Sequence, residues 1–264
     1  MDNRPIGVFD SGVGGLTVVK ALRQTLPGED IIYLGDTARV PYGTKARSTV
    51  TRFSIECVQF LLKFNIKQAV VACNTASSCA VETLKKRFDV PVMGVIEPGA
   101  RDAVKISSSK NKKIAVIATR STVKSNAYQK HIHKLDKSVM VLQQPCPLFV
   151  PFVEENMIKG AIIESVVKEY LKAIKSKNVD SIILGCTHYP LLKSIIAKYL
   201  KGVHIIDSSK SISIEIKRTL EKKQMLSNKK QGILKCFVTD DANNFKTMAL
   251  MFLDKDISIK RVQI

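Results

Sequence analysis

The sequence predicts an α/β fold made of two similar lobes, each a largely parallel sheet flanked by helices. Short apolar runs alternate along the chain with amphipathic helical patterns, as in strand–helix–strand units. The apolar runs are continuous rather than interrupted by polar residues, which is typical of strands covered on both faces. Two segments of the first half also recur, in the same order, in the second half.

The apolar runs define nine predicted strands. They are rich in Val, Ile and Leu, which pack well on a pleated surface, and turn or charged residues separate them. In chain order, the strands are predicted over residues 6–9, 31–35, 69–72, 92–96, 114–118, 139–142, 181–184, 203–206 and 233–238.

Between the strands, apolar residues recur at three- and four-residue spacing, which predicts helices with one buried face. Pro190 suits the start of one of these helices, because a backbone N–H is not needed at the first helical position. The helical patterns lie near residues 15–26, 45–64, 75–87, 122–135, 159–176, 190–200, 209–223 and 241–252.

The internal similarity predicts how the chain divides. The run 6–12 has a counterpart at 114–120, and Cys73 has a counterpart in Cys186, each directly after an apolar run. The alternative for the first pair is that all strand–helix units look alike.

We therefore expect a first lobe over residues 1–97 and a second lobe over residues 98–208. The remaining residues, 209–264, carry a helical pattern, a strand and another helical pattern. This tail is too short for a domain of its own, so we expect it to complete the first lobe.

Composition favours a globular protein of the cytoplasm. The chain has 264 residues, of which 45% are hydrophobic and 25% are charged. No apolar run reaches the roughly 18 residues that a membrane-spanning helix needs, so we expect no membrane association. Residues 1–5 lead directly into the first strand pattern, and no secretory signal is predicted.

The charge is strongly positive, with 42 Lys and Arg against 23 Asp and Glu, a net charge of +19. Such an excess is typical of nucleic-acid-binding proteins. The lysines are scattered through amphipathic helices, however, and the densest stretch, 105–137, has no interleaved aromatic stripe. A solvated basic surface is therefore the favoured interpretation, and a nucleic-acid partner is the alternative.

The cysteines indicate neither a disulfide framework nor a metal site. No pair has C-x-x-C spacing, and no histidine cluster has zinc spacing, so we expect no metal. Without a secretory signal the thiols should be reduced. The six are Cys57, Cys73, Cys79, Cys146, Cys186 and Cys236.

Three segments place small polar residues between an apolar strand and a helix: 10–15, 73–78 and 186–190. In α/β sheets, ligands bind beyond the carboxyl ends of the strands, and helix N-termini there offer free N–H groups to anions. The segments therefore predict a site for a small anion with one or two carboxylates or phosphates. A dinucleotide fingerprint fails at its third glycine, which is Thr17, and the Asp10 carboxylate would repel a pyrophosphate.

Cys73 and Cys186 are the chemically informative cysteines, because each lies between a strand and a helix start. Helix N-termini favour the thiolate, and at pH 7 making an ordinary thiol fully ionised costs about 2 kcal/mol. Two matched thiols on opposite walls of a cleft suit removal of a proton from one face of a carbon and delivery to the other. The alternative is a pair of buried strand-end cysteines without chemistry.

Four segments together resemble the bacterial glutamate racemases, a family of the aspartate/glutamate racemase superfamily. The resemblance covers essentially the whole chain. The matching segments are Gly-Val-Phe-Asp-Ser-Gly-Val-Gly-Gly-Leu at 7–16, Gly-Asp-Thr-Ala-Arg-Val-Pro-Tyr-Gly at 35–43, Ala-Cys-Asn-Thr-Ala-Ser at 72–77 and Leu-Gly-Cys-Thr-His-Tyr-Pro at 184–190.

The resemblance implies an active site in the cleft between the lobes. It implies interconversion of L- and D-glutamate without a cofactor, which supplies D-glutamate to peptidoglycan synthesis, and a homodimer. Cys73 and Cys186 would be the acid/base pair, with Cys73 taking the α-proton of D-glutamate and Cys186 that of L-glutamate. Asp10 and His188 would assist the two thiols.

The resemblance also implies the residues that bind glutamate. In this sequence they are Asp10, Ser11, Tyr42, Gly43, Asn74, Thr75, Thr119, Glu154, Thr187 and His188. Glu155 adjoins Glu154, and the sequence leaves open which of the two points inward. A related racemase acting on aspartate is the alternative, although those enzymes usually carry an acidic residue at the position of His188.

Overall fold

The computed structural model describes residues 1–107, 111–253 and 257–264, and these form two parallel sheets flanked by helices. This confirms the predicted α/β class with two similar lobes. The strands are β1 (Ile6–Asp10), β2 (Ile31–Gly35), β3 (Gln68–Val71), β4 (Val92–Gly94), β5 (Lys113–Ala118), β6 (Met140–Pro145), β7 (Ser181–Gly185), β8 (His204–Asp207), β9 (Leu234–Val238) and β10 (Ile259–Arg261).

At least one α-helix lies between every two consecutive strands that the structure describes. The α-helices are α1 (Leu16–Thr25), α2 (Arg47–Leu62), α3 (Asn74–Arg87), α4 (Ile96–Ser107), α5 (Arg120–Lys124), α6 (Ala127–Leu135), α7 (Phe149–Glu154), α8 (Ala161–Ser176), α9 (Lys193–Tyr199), α10 (Ser208–Lys222) and α11 (Ala242–Phe252). Short 3₁₀ helices cover Thr37–Arg39, Tyr42–Thr44 and Tyr189–Leu192.

The two sheets repeat one topology. The first sheet has the order β10-β9-β2-β1-β3-β4 and the second has β6-β5-β7-β8, with every neighbouring pair parallel. In each sheet the chain places its second strand on one side of a central strand, β1 or β5, and its third strand on the other. Ligands bind beyond the carboxyl ends of strands at such a reversal. Both sheets therefore offer a crevice at this edge.

The central strands are apolar on both faces because helices cover both faces of each sheet. Every residue of β1, β2, β3 and β7 is buried. This is why their sequences read as continuous Val, Ile and Leu runs rather than as an alternating pattern.

The C-terminal tail adds to the first sheet. Helix α10 packs against α1 and α4, strand β9 pairs in parallel with β2, and β10 pairs with β9. Strand β10 was absent from the sequence prediction because Ile-Lys-Arg holds only one apolar residue and gives no periodic pattern.

The strand predicted over 92–96 is too long. Strand β4 ends at Gly94, and the unpredicted helix α4 begins at Ile96. Pro98 and Gly99 look like helix breakers, and they hid this helix from the sequence analysis. Pro98 lies in the first turn, where its missing N–H costs no hydrogen bond. The helix therefore tolerates both residues close to its start.

The single helix predicted over 122–135 is also wrong, because two helices occupy it. Asn126 has a left-handed backbone with φ of 54°, and it separates α5 from α6. Asn tolerates this conformation better than most residues. The Ser125 hydroxyl oxygen accepts the Ala127 N–H and starts the second helix. Helix α7, only six residues long, was not predicted at all.

A buried ion pair joins three parts of the first lobe at the edge opposite the carboxyl ends of the strands. The Lys67 ammonium lies 2.5 Å from a Glu29 carboxylate oxygen, and both side chains are at most 2% exposed. Lys67 also donates to the carbonyl oxygens of Asp2 and Met225. The second Glu29 oxygen accepts the Ser227 N–H. The pair thus holds the N-terminus, the start of β3 and the C-terminal tail together.

We expect Lys67→Met to lower the free energy of unfolding by about 3–5 kcal/mol, because the Glu29 carboxylate would stay buried without its counter-charge. Urea unfolding followed by circular dichroism measures this change. The control is Lys198→Met, which breaks the exposed pair with Glu164 and should cost less than about 1 kcal/mol. An equal loss in both variants would contradict the importance of the buried pair.

Candidate active site

The carboxyl edges of the two sheets face each other, and their loops meet. In the first lobe, β1 leads to Asp10 and β3 leads to Cys73. In the second lobe, β5 leads to Thr119 and β7 leads to Cys186. The Thr75 hydroxyl on the first lobe lies 3.0 Å from the Thr119 hydroxyl on the second. The predicted segments are therefore in direct contact across the lobe boundary.

Cys73 caps the N-terminus of α3. Its sulfur accepts the Ala76 N–H at 3.5 Å, and its thiol lies 3.8 Å from the Ser11 hydroxyl. The residue is only 6% exposed. Burial raises the pKa of the Cys73 thiol, and the nearby charges of Asp10 and Cys186 add to the rise. The thiol therefore keeps its proton at neutral pH.

Cys186 has a different environment, although it occupies the matching position after β7. Its sulfur lies 3.9 Å from His188 Nδ1, and His188 Nε2 donates to Glu154 Oε1 at 3.1 Å. Burial disfavours the charged imidazole, but these two hydrogen bonds outweigh it and raise the pKa of His188 to about 10. The imidazolium is therefore the form present at neutral pH, with its Nδ1 next to the Cys186 sulfur.

The side chain that reaches His188 is Glu154, whereas its neighbour Glu155 is exposed. The geometry thus answers the question that the sequence left open. The two carboxylates differ because Glu154 is the last residue of α7 and Glu155 follows the helix end.

Asp10 lies at the centre of the lobe contact and is fully buried. One carboxylate oxygen accepts the Gly12 N–H at 3.0 Å, and the other accepts the Thr187 hydroxyl at 3.4 Å. Burial raises the pKa of Asp10, while the His188 charge and these hydrogen bonds oppose the rise. Asp10 thus links the first lobe to the segment that carries Cys186.

Asn74 follows Cys73 and is also buried. Its side-chain oxygen accepts the Tyr128 hydroxyl at 2.7 Å, whereas its Nδ2 has no hydrogen-bond partner in the part of the chain that the structure describes. A buried donor without an acceptor costs about 1–3 kcal/mol, so such groups are rare outside binding sites. Asn74 Nδ2 is therefore available to a ligand acceptor.

Tyr42 and Gly43 lie on the second of the two 3₁₀ helices between β2 and α2. The Tyr42 hydroxyl is buried and donates to Asp36, which also accepts from Arg39 Nε at 2.7 Å and from the Thr239 hydroxyl at 3.1 Å. This hydroxyl is thus engaged within the first lobe. Gly43 packs against Thr119 of the second lobe.

Asp36 and Tyr128, which bond to the predicted site residues Tyr42 and Asn74, were not predicted to belong to the site. The position of Asp36 directly after β2 was a signal that could have identified it, because that is the carboxyl edge of the sheet. Tyr128 carries no comparable signal, since it reads as one apolar position of an amphipathic helix.

No metal site is evident, since the described ranges hold no group of three or more His, Cys, Asp or Glu side chains arranged to bind an ion. All six cysteines are unpaired and buried. Among the helices that the structure describes, none is both long and apolar enough to cross a membrane.

Gly14 permits the close approach of the two lobes. A Cβ atom at Gly14 would lie 2.4 Å from the Thr187 hydroxyl oxygen and 2.5 Å from His188 Nδ1. Real Cβ atoms do not approach other atoms so closely. By contrast, a Cβ at Gly12 would meet only Val40, at 3.8 Å.

Known proteins match this chain over almost its whole length. The sequence pattern of the Asp/Glu/hydantoin racemase family matches residues 6–212. The glutamate racemase of Persephonella marina is 48% identical, over 98% of this chain and 97% of its own length.

Solved structures match as well. A glutamate racemase isoform of Bacillus anthracis has a TM-score of 0.96 and 40% identity, covering 100% of this chain and 99% of that chain. Glutamate racemase of Francisella tularensis in complex with D-glutamate has a TM-score of 0.93 and 41% identity, covering 100% and 98%.

We expect Gly14→Ala to separate the two lobe edges, because its methyl group would overlap Thr187 and His188. The result should be a lower unfolding temperature and faster alkylation of Cys186 by iodoacetamide, measured by peptide mass spectrometry. Gly12→Ala is the matched control, since its methyl group has room. Equal alkylation of Cys186 in the two variants would contradict the packing role of Gly14.

Proposed function

Because the chain belongs to the Asp/Glu/hydantoin racemase family, we propose that it interconverts L- and D-glutamate by proton transfer between two thiols. Racemases are isomerases, so the reaction changes configuration and leaves composition unaltered. The observation that carries the proposal is the placement of two buried thiols, Cys73 and Cys186, at matching strand ends on facing lobes. The glutamate racemases that match nearly the whole chain support glutamate as the substrate.

The reaction needs one thiolate and one thiol. The thiolate removes the α-hydrogen as a proton, so that the C–H bond breaks and an S–H bond forms. The electron pair stays on the α-carbon and its carboxylate. The second thiol then gives its proton to the opposite face, and its sulfur becomes the thiolate. The product has inverted configuration, and the two sulfurs have exchanged protonation states.

The electrostatics of the site favour one of the two starting states. Burial raises the pKa of the Cys73 thiol, and the Cys186 sulfur lies beside His188, whose raised pKa keeps its imidazole positively charged at neutral pH. We propose that this state accepts L-glutamate, with Cys186 as the base and Cys73 as the acid. D-glutamate requires the opposite state, in which Cys73 is the base, and Asp10 beside it assists that proton transfer.

The residues around the thiols supply neutral donors for the substrate carboxylates. Asn74 Nδ2 is an unpartnered buried donor, and the free N–H groups at the start of α3 attract an anion. Ser11, Thr75, Thr119 and Thr187 add hydroxyl groups. Such fixed donors stabilise the negative charge that develops on the α-carboxylate when the proton leaves.

Three further assignments refine the predicted binding set. Tyr42 and Gly43 contribute through their backbone N–H groups, because the Tyr42 hydroxyl is engaged by Asp36. Glu154 acts through His188 rather than as a direct ligand, because its carboxylate accepts from the imidazole. His188 therefore carries the contact with Cys186.

The cofactor requirement, cellular location, oligomeric state and metabolic role of the enzyme are also proposed. We propose that it acts without a cofactor, in the cytoplasm, as a homodimer, and that it supplies D-glutamate for peptidoglycan synthesis. Nucleic acid is not among its proposed partners. We propose lobe boundaries of 1–97 with 209–264 and of 98–208, in line with the pairing of β9 and β10 to the first sheet.

We expect Cys73→Ala and Cys186→Ala each to reduce racemisation about 10²–10⁴-fold in both directions, because each removes one of the two proton-transfer groups. Circular dichroism of glutamate follows the reaction, and in D₂O the wild-type enzyme should introduce deuterium at Cα without an added cofactor. Cys79→Ala is the matched control, because it removes a buried thiol from α3, the helix that Cys73 caps. Full activity in either catalytic variant would refute the two-thiol mechanism.

We expect a bell-shaped pH profile of kcat/KM, because the reaction needs one deprotonated and one protonated thiol. Glu154→Gln removes a hydrogen bond that raises the pKa of His188. His188, which assists Cys186 in its charged form, then loses its proton at lower pH, so the basic limb should move to lower pH. The exposed Glu155→Gln is the control and should leave the profile unchanged. An unmoved basic limb in Glu154→Gln would contradict the role of Glu154.

A further inference from the structure

Tyr128 connects the two thiol-bearing segments from a position on α6. Its ring lies in a slot beside Gly185, the residue before Cys186, where a Cβ atom would approach the ring to 3.1 Å. Its hydroxyl crosses the lobe boundary and donates to the Asn74 side-chain oxygen at 2.7 Å. Asn74 directly follows Cys73. One fully buried side chain therefore contacts a neighbour of each thiol.

The hydrogen bond selects one of two orientations of the Asn74 carboxamide. With Oδ1 bound to Tyr128, the free end of the amide is Nδ2, which has no partner among the described residues. If the amide turned over, its free end would be an acceptor oxygen. An acceptor in that place would repel a substrate carboxylate, whereas Nδ2–H donates to it.

We propose that Tyr128 is a positioning residue, whose hydroxyl holds the Asn74 carboxamide by its oxygen so that Nδ2–H is presented to a carboxylate of the substrate. This inference rests on the proposed function, in which Asn74 binds glutamate. Tyr128 itself touches no reacting atom, and it acts from the second lobe on a binding group of the first.

The environment of the phenol keeps it a hydrogen-bond donor. Burial raises the pKa of Tyr128 above its ordinary value, although a hydrogen bond with Ser208 opposes the rise. The hydroxyl therefore retains its proton over the whole range in which the enzyme would work. The ring packs against Gly185 and Gly99, which fixes the position of the hydroxyl oxygen.

Tyr128→Phe tests the inference, because it keeps the ring in its slot and removes only the hydroxyl. We expect KM for both enantiomers to rise about five- to tenfold, the equivalent of one neutral hydrogen bond, while kcat changes less than about twofold. Tyr189→Phe is the matched control. It also loses a buried phenol hydrogen bond of 2.7 Å, but to the Cys146 carbonyl oxygen, and KM should stay within about twofold.

A double-mutant cycle separates positioning from packing. Asn74→Ala alone should raise KM, and adding Tyr128→Phe to it should raise KM no further, because the group that Tyr128 orients is gone. The same non-additivity is expected with Asn74→Asp, which keeps an acceptor for Tyr128 but loses the donor. If Asn74→Ala does not fold, the double-mutant cycle can be measured with Asn74→Asp instead.

Three results would overturn the inference, and the failure of the Asn74 role is distinguishable from the other two. If Asn74→Ala lowers affinity but Tyr128→Phe alone does not, or if Tyr128→Phe raises KM equally with and without Asn74, Tyr128 does not act through that amide. If Asn74→Ala and Asn74→Asp both leave KM unchanged, the proposed binding role of Asn74 is itself wrong, and the inference falls with it.

Discussion

The contact between the carboxyl edges of the two sheets is the constraint on which the site depends. Two thiols can act on opposite faces of one carbon only if they stand on separate walls that approach closely. The repeated topology places one thiol on each lobe, since Cys73 follows β3 and Cys186 follows β7, the third strand of its lobe along the chain. Gly14 allows the two lobes to come this close, because Thr187 and His188 occupy the space that a larger side chain would need.

Equivalent positions do not give equivalent thiols. Cys73 stays protonated because burial and the Asp10 carboxylate both raise the pKa of its thiol. Cys186 stands beside an imidazole whose charge Glu154 supports. A duplicated scaffold therefore carries opposite electrostatics in its two halves. The two thiols therefore occupy matching positions but have different neighbours, a carboxylate near Cys73 and an imidazole beside Cys186.

Local patterns predicted the fold class and the segments of the site but not the contacts that complete them. The strand runs are continuous and apolar because both faces are covered, and this information lies within each run. Helix α4 was missed because Pro98 and Gly99 read as breakers, and only the packing of α4 against α6 and α10 shows why they are tolerated. The bonds from Tyr128 to Asn74 and from Glu154 to His188 join residues 54 and 34 positions apart. No local periodicity encodes such pairings, so the roles of these residues required coordinates.

The buried ion pair between Lys67 and Glu29 has a consequence for biosynthesis. Its ammonium needs the carbonyl of Met225, and the sheet beside it needs β9 and β10 from the last part of the chain. Chains emerge from the ribosome N-terminus first, and domains generally fold as they emerge. All four strands of the second sheet are synthesised before β9. The lobe that the ribosome begins first is therefore completed only after every strand of the second lobe has been synthesised.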